Sequence, residues 1–192
     1  NDPGPSHLPH DVDDDLAKGL ADFVSGPRFS NSYGCLRHTP TILVENHSLS
    51  QMRASMPRMA GFAARFGYAD HYDAITHPSL PNYLVMAGGS TFGVVNDRPP
   101  SVNGVHGTSV FGQALAAGRT AGLYADGMPA SCSAVDGGDR YAVRHNPWTY
   151  FLDERATCRR HDEPLGALAS DVSGGRLPDV SFVMPNTCND AH

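Results

Sequence analysis

Ser79 stands between two prolines in the run Thr76-His-Pro-Ser-Leu-Pro-Asn-Tyr83, directly ahead of an apolar segment with helical spacing. A hydroxyl on a rigid turn beside helix N-terminal amides suits a nucleophile that attacks an anionic group. The same place suits a plain N-cap serine, and the two roles are compatible. Serine is weak at its ordinary pKa, so this chemistry needs a metal or a base. Glu45 and Asn46 offer a carboxylate and an amide oxygen, hard donors for a divalent cation. A solvated carboxylate at a helix entrance explains that pair equally well. His145, followed by Asn146 and Pro147, reads either as a hydrogen-bonded structural histidine or as a site residue. Asp190 and His192, two positions apart, read as metal ligands, phosphate contacts or a frayed end. No G-x-S-x-G elbow, H-E-x-x-H helix or Walker loop occurs, which removes the usual esterase, zincin and NTPase readings.

Such groups must be carried to one place by the elements that precede them. Residues 41–44 read as a short buried strand of parallel type that delivers Glu45. Ser48 or Ser50 then caps a helix running to about Phe66, with Met52, Met56, Met59, Ala60, Ala63 and Phe66 as its core face. Residues 68–75 read as a second strand, and Ser79 opens a helix to about Ala87, closed by Gly88-Gly89. A loop follows over 96–107, then a helix over 109–117 stopped by Gly118 and a strand over 120–124. Residues 128–147 read as loop, 148–151 are ambiguous, and 168–173 suggest a helix. Residues 180–184 are a clear apolar strand, whereas 13–23 suggest a short amphipathic helix. Strands alternating with helices predict an α/β fold with a mostly parallel sheet and helices on both faces. In such folds ligands gather at the C-terminal ends of strands. Glu45-Asn46, the His77/Ser79 loop, Asp126 and residues 186–192 all follow a predicted strand.

Composition narrows the partners. The chain has 192 residues, 40% apolar and 18% charged, with a net charge of −6 and a pI near 5.9. One domain is expected at this length. No basic cluster is dense enough to track a nucleic-acid backbone, so no structural nucleic-acid partner is expected, while a small phosphorylated substrate remains open. No apolar run reaches the roughly 20 residues that span a bilayer. Four widely spaced cysteines, Cys35, Cys132, Cys158 and Cys188, lack zinc-site spacing. They fit a secreted or cell-envelope protein with one or two disulfides, Cys132–Cys158 being preferred because both flank one loop-rich insertion. Buried free thiols in a cytosolic enzyme are the alternative.

At Val44-Glu-Asn46, Thr76 to Tyr83, Gly88 to Asp97, Tyr141 to Pro147 and Pro185 to His192, the sequence resembles a bacterial and fungal phosphoesterase family. That family includes acid phosphatases and phospholipases C and belongs to the alkaline phosphatase superfamily. Ser79-Leu-Pro-Asn82 also resembles the Thr-Phe-Pro-Asn nucleophile motif of nucleotide pyrophosphatase/phosphodiesterases. The resemblance implies a three-layer α/β/α sandwich of alkaline-phosphatase type. It implies Ser79 as nucleophile, Asn96, His145 and His192 as phosphate contacts, and Glu45, Asn46 and Asp190 as ligands of a divalent metal ion (Zn, Ca, Mg or Mn).

The reading that follows is a metal-dependent phosphomonoesterase working through a phosphoseryl intermediate. A phosphodiesterase or phospholipase C, or a non-catalytic module of the same fold, is the alternative. Residues 1–38 are expected to be an N-terminal extension and 39–192 the N-terminal portion of one phosphoesterase domain. By the resemblance the domain is truncated at its C-terminus, which leaves room for a C-terminal fragment or second chain that completes the fold.

Overall fold

The structure, a computed structural model, describes residues 38–191. The helix expected over 13–23, Cys35 and His192 lie outside the described residues. The chain separates into two compact units. The larger comprises residues 37–44 and 74–190, and the smaller includes residues 45–73.

The larger unit is built on four parallel strands: β1 (Thr39–Ile42), β2 (Ala121–Ala125), β3 (Asp162–Pro164) and β4 (Val180–Met184), in the spatial order β1-β4-β2-β3. The apolar run at 180–184 is the strand read from sequence, residue for residue. It takes a central place, pairing with Thr39–Ile42 on one side and Ala121–Ala125 on the other. The first strand starts two residues earlier than expected and is only partly buried, because it is an edge strand. β3 was not legible: it has three residues, one of them Pro164, which an edge position tolerates.

Five helices belong to this unit: Ser79–Gly88, Pro100–Asn103, Val110–Ala116, Arg155–His161 and Gly166–Gly174. Side chains alternate across a strand, so the register separates the two faces. Leu123 lies opposite Phe182, and Tyr124 opposite Val183. Phe182 packs edge-on against Phe111 of the 110–116 helix, which in turn stacks on Trp148 at 4.3 Å. Tyr124, on the other face, donates a hydrogen bond of 2.9 Å to Asp171 of the 166–174 helix. Helices therefore cover both faces of a parallel sheet, giving the three-layer α/β arrangement. The fully buried Leu80, Leu84, Phe111, Leu123, Trp148, Tyr150 and Phe151 form its core.

Among the described residues of the smaller unit, two helices stand where the sequence suggested one over 48–66. Ser48 caps Leu49–Ser55 through a capping box with Gln51. Pro57 then forces a break at Met56 and begins Pro57–Phe66. Of the expected core face Met56 is buried, whereas Phe66 is exposed.

Residues 68–75 form no strand. Tyr68, Tyr72 and Ile75 are exposed, and the amides of Ile75 and Thr76 are bonded to the Asn82 side chain. A sheet ladder would need those donors. The Arg155–His161 helix was also missed, although Arg159, Arg160 and His161 in its last turn are the cations a helix C-terminus favours.

Candidate active site

The helix Ser79–Gly88, here α3, starts at Ser79 and ends on Gly89, whose φ of 74° is the left-handed cap expected of Gly. Its N-cap is Pro78, which makes no side-chain cap bond. The cap residue itself therefore leaves the first-turn amides to other groups. The loop ahead of Ser79 is held by Asn82 instead. Its amide oxygen accepts from the Ile75 and Thr76 amides at 2.9 and 3.2 Å. Its amide nitrogen donates to the carbonyls of Thr76 and Pro78 at 2.7 and 3.0 Å. Both lone pairs and both N–H groups are thus committed to the Ser79 turn.

Asp97 fastens a second segment to the same helix end. Its Oδ1 accepts from the Leu80 amide at 2.9 Å, and its Oδ2 lies 3.9 Å from Arg144 Nε. Asn96 is therefore one residue from a group that touches the first turn of α3. The Asn96 amide oxygen accepts from Arg98 N at 3.1 Å and from Asn103 Nδ2 at 2.8 Å. With the oxygen so used, the Asn96 amide nitrogen is the end suited to a phosphoryl oxygen.

His145 arrives from the other side. It sits in a one-turn helix, Val143–His145, and is 3% exposed. Its ring stacks on Tyr83 with centroids 5.0 Å apart and an interplanar angle of 9°. Tyr83 is four residues beyond Ser79, so both stand on one face of α3. His145 Nδ1 lies 3.4 Å from Asp190 Oδ2, an ion-pair separation rather than a tight hydrogen bond. A carboxylate on Nδ1 favours a proton there, which leaves Nε2 as the acceptor nitrogen of a neutral ring. Asp190 is 1% exposed, its backbone N–H bonded to the Asn186 carbonyl at 3.0 Å. Asp126, one residue past β2, accepts from the Asn186 amide and from Asn189 Nδ2 at 3.4 and 3.0 Å. The segment after β4 is thereby tied to the end of β2.

Next to His145 in the chain lies a buried polar pair. Asn146 Nδ2 donates to Asp162 Oδ2 at 2.9 Å, and the amide oxygen of Asn146 and Oδ1 of Asp162 have no hydrogen-bond partner among the described residues. Asp162 is fully buried, and desolvation pushes its carboxyl up to about 8 against the opposing pull of the Asn146 bond. Next to it runs the Cys132–Cys158 disulfide, the pairing preferred from sequence. Cys132, Cys158 and Asp162 resemble a ligand group in spacing, but sulfurs joined in a disulfide have no thiolate to give a metal. Cys188 is exposed and accepts a contact from Arg140 Nη1.

Four of the seven residues read from sequence thus lie in the larger unit. The Ser79 helix is contacted by Asp97, the residue after Asn96, and through Tyr83 by His145, which in turn meets Asp190. Glu45 and Asn46 follow β1 in the chain and begin the smaller unit. As a donor set, Glu45, Asn46 and Asp190 supply two carboxylates and an amide oxygen, which suits a hard divalent cation. The sequence reading assigned nothing to Asn82, Asp97, Tyr83 or Asn103. Asn82 carried no signal, since its partners are backbone groups four to seven residues earlier. Asp97 and Tyr83 had none, because their partners lie 17 and 62 residues away.

The model of the Phosphoesterase family matches residues 43–192. The chain is 34% identical over 157 residues to a phosphatidylinositol-3-phosphatase of Mycobacterium tuberculosis, covering 81% of this chain and 51% of that protein. It is 32% identical over 133 residues to a phosphate-repressible acid phosphatase of Penicillium chrysogenum, covering 64% of this chain and 31% of the relative. A probable acid phosphatase of Kluyveromyces lactis is 34% identical over 134 residues, with the same coverage. The chain thus spans about half the length of the bacterial relative, and less of the fungal ones. With the family model covering both the Ser79 turn and the His145–Asp190 pair, this chain belongs to the Phosphoesterase family.

Proposed function

We propose that the protein hydrolyses phosphoric monoesters through a phosphoseryl intermediate on Ser79. What supports this reading is the position of Ser79 at the first turn of α3, one helical turn before Tyr83, whose ring stacks on His145. Asn96 is brought to the same helix end through Asp97. The seryl Oγ forms a bond to phosphorus as the bond from phosphorus to the ester oxygen breaks. The seryl proton is, in net, the one gained by the departing alcohol. Water then attacks the phosphoserine, phosphate leaves, and Ser79 regains a proton. Asn96 and His145 hold the non-bridging oxygens, where charge accumulates. Asp190 fixes the His145 ring, and the α3 amides favour the anion. Glu45, Asn46 and Asp190 would hold a divalent cation, which lowers the pKa of a bound hydroxyl and screens phosphate charge.

Monoesters are favoured over diesters because the relatives described above bear the names of phosphatases. The Cys132–Cys158 disulfide supports a secreted or cell-envelope location. Among the described residues no helix is long and apolar enough to cross a membrane.

The test is turnover of para-nitrophenyl phosphate by Ser79→Ala. A loss of roughly a thousandfold or more is expected when the nucleophile is removed, and undiminished turnover rules the assignment out. Chelation followed by add-back of single metals should abolish and restore the same activity. Metal content measured on the Asp190→Ala protein should fall in parallel.

A further inference from the structure

Two first-turn positions of α3 have no N–H to offer a phosphoryl group. The Leu80 amide is bonded to Asp97 at 2.9 Å, and Pro81 has no amide proton. A phosphoric monoester carries about 1.5–2 negative charges near neutral pH, spread over its terminal oxygens. Charge of that size calls for a side-chain cation as well as for amides. Arg144 is the cation that the fold puts beside this helix end. It is the middle residue of the Val143–His145 turn, which packs directly against α3. Its Nε lies 3.9 Å from Asp97 Oδ2, and the other oxygen of that carboxylate holds the Leu80 amide. His145, the next residue, stacks on Tyr83 one turn further along the same helix. The 144–145 segment is thus tied to α3 twice, once through Asp97 and once through Tyr83. The Arg144 side chain is 30% exposed, partly withdrawn from water yet open to a ligand. At 3.9 Å its contact with Asp97 is an ion pair without a hydrogen bond. Among the described residues the guanidinium donates no hydrogen bond and meets no other carboxylate at ion-pair range. Arg155 and Arg176, by contrast, spend donors on the Thr149 and Ser170 carbonyls at 2.7 and 3.2 Å.

From this placement we infer that Arg144 is a substrate-binding residue, whose guanidinium takes terminal oxygens of the phosphoryl group presented to Ser79 and favours a monoester dianion over a diester. The inference rests on the reading of Ser79 as the residue that attacks phosphorus. A planar fork of donors matches two phosphoryl oxygens at once. A diester brings one terminal oxygen fewer and one charge fewer to that fork. Asp97 does not saturate the guanidinium, because a half-exposed pair without a hydrogen bond is weak and leaves the donors to an incoming anion.

The experiment measures binding of inorganic phosphate to the full chain by calorimetry, beside turnover of para-nitrophenyl phosphate and bis-para-nitrophenyl phosphate. Arg144→Ala is expected to weaken phosphate binding, and to lower kcat/KM on the monoester, by roughly ten- to a hundredfold, the scale of a hydrogen bond to a charged group. The diester should change by less than about threefold on the same scale. Arg144→Lys keeps the charge without the fork and should recover only part of the loss. A residue that merely screened Asp97 would give the same first result. Each measurement is therefore repeated in Asp97→Asn, which keeps an amide oxygen for the Leu80 N–H. The Arg144→Ala loss is expected to persist in that background, and its disappearance there overturns the inference. Equal losses on both esters, full recovery by Arg144→Lys, or phosphate binding that is absent from wild type or unaltered by Arg144→Ala overturns it as well. Unaltered phosphate binding, with turnover lost in Ser79→Ala, removes Arg144 and keeps the nucleophile. Weakened phosphate binding in Arg144→Ala, with undiminished turnover in Ser79→Ala, upholds Arg144 as an anion-binding residue and removes the nucleophile.

Discussion

Asn82 braces the turn ahead of Ser79 with four hydrogen bonds, so on the proposed mechanism it acts by positioning rather than by touching substrate. Asn82→Ala should lower kcat by roughly a hundredfold, the scale of a small misplacement of a reacting group. It should destabilise the fold by about 1–3 kcal/mol, given a net value near 1 kcal/mol for each bond and partial solvent access. Asn82→Asp should fail to rescue, since a carboxylate cannot donate to the Thr76 and Pro78 carbonyls. Asp162 makes a prediction in pH. Its folded-state carboxyl is raised to about 8 from 3.8, so the folded protein binds more protons than the unfolded chain between those values. Stability from this group is full below pH 3.8 and is lost as pH rises through about 8. Urea unfolding of wild type should show that decline, and Asp162→Asn should flatten it. At this scale Ser79, Asn96, His145 and Asp190 stand out in the sequence by residue type and by the family resemblance. Their supports do not, since Asn82 and Asp97 act through backbone amides, which leave no pattern in sequence spacing.

Elements were read most securely where packing and local signals agree. The strand at Val180–Met184 is apolar throughout and lies between two neighbours, and α3 carries its own stop at Gly89. Reading failed where an element is short or where a side chain claimed the backbone. The three-residue β3 is the first case, and the missing strand at 68–75 the second. The turn after β2 has a constraint that periodicity cannot reveal. Gly127 has a φ of 68°, and a Cβ there would lie 2.0 Å from the Asp139 carbonyl oxygen. Gly89 shares the positive φ, but a Cβ would meet nothing within 4 Å. Gly89→Ala should therefore cost about 1–2 kcal/mol, the left-handed penalty alone. Gly127→Ala should cost clearly more, because backbone must also move. Thermal unfolding of the two variants side by side checks the order.

For the molecule as a whole, the Cys132–Cys158 bridge closes a span of 26 residues that contains His145 and Asn146. Chain-entropy reasoning puts its contribution at roughly 3–4 kcal/mol. Reduction should lower the urea midpoint accordingly, and activity should fall at denaturant levels the oxidised protein tolerates. The Ser79 turn has a consequence of a different kind. Asn82 and Asp97 supply the bonds described for that turn through atoms other than the Ser79 hydroxyl. The Ser79 hydroxyl can be deleted without withdrawing them. Ser79→Ala should then be a folded capture reagent: passed over a pool of phosphorylated metabolites and washed, it should retain the preferred ester intact for identification by mass spectrometry.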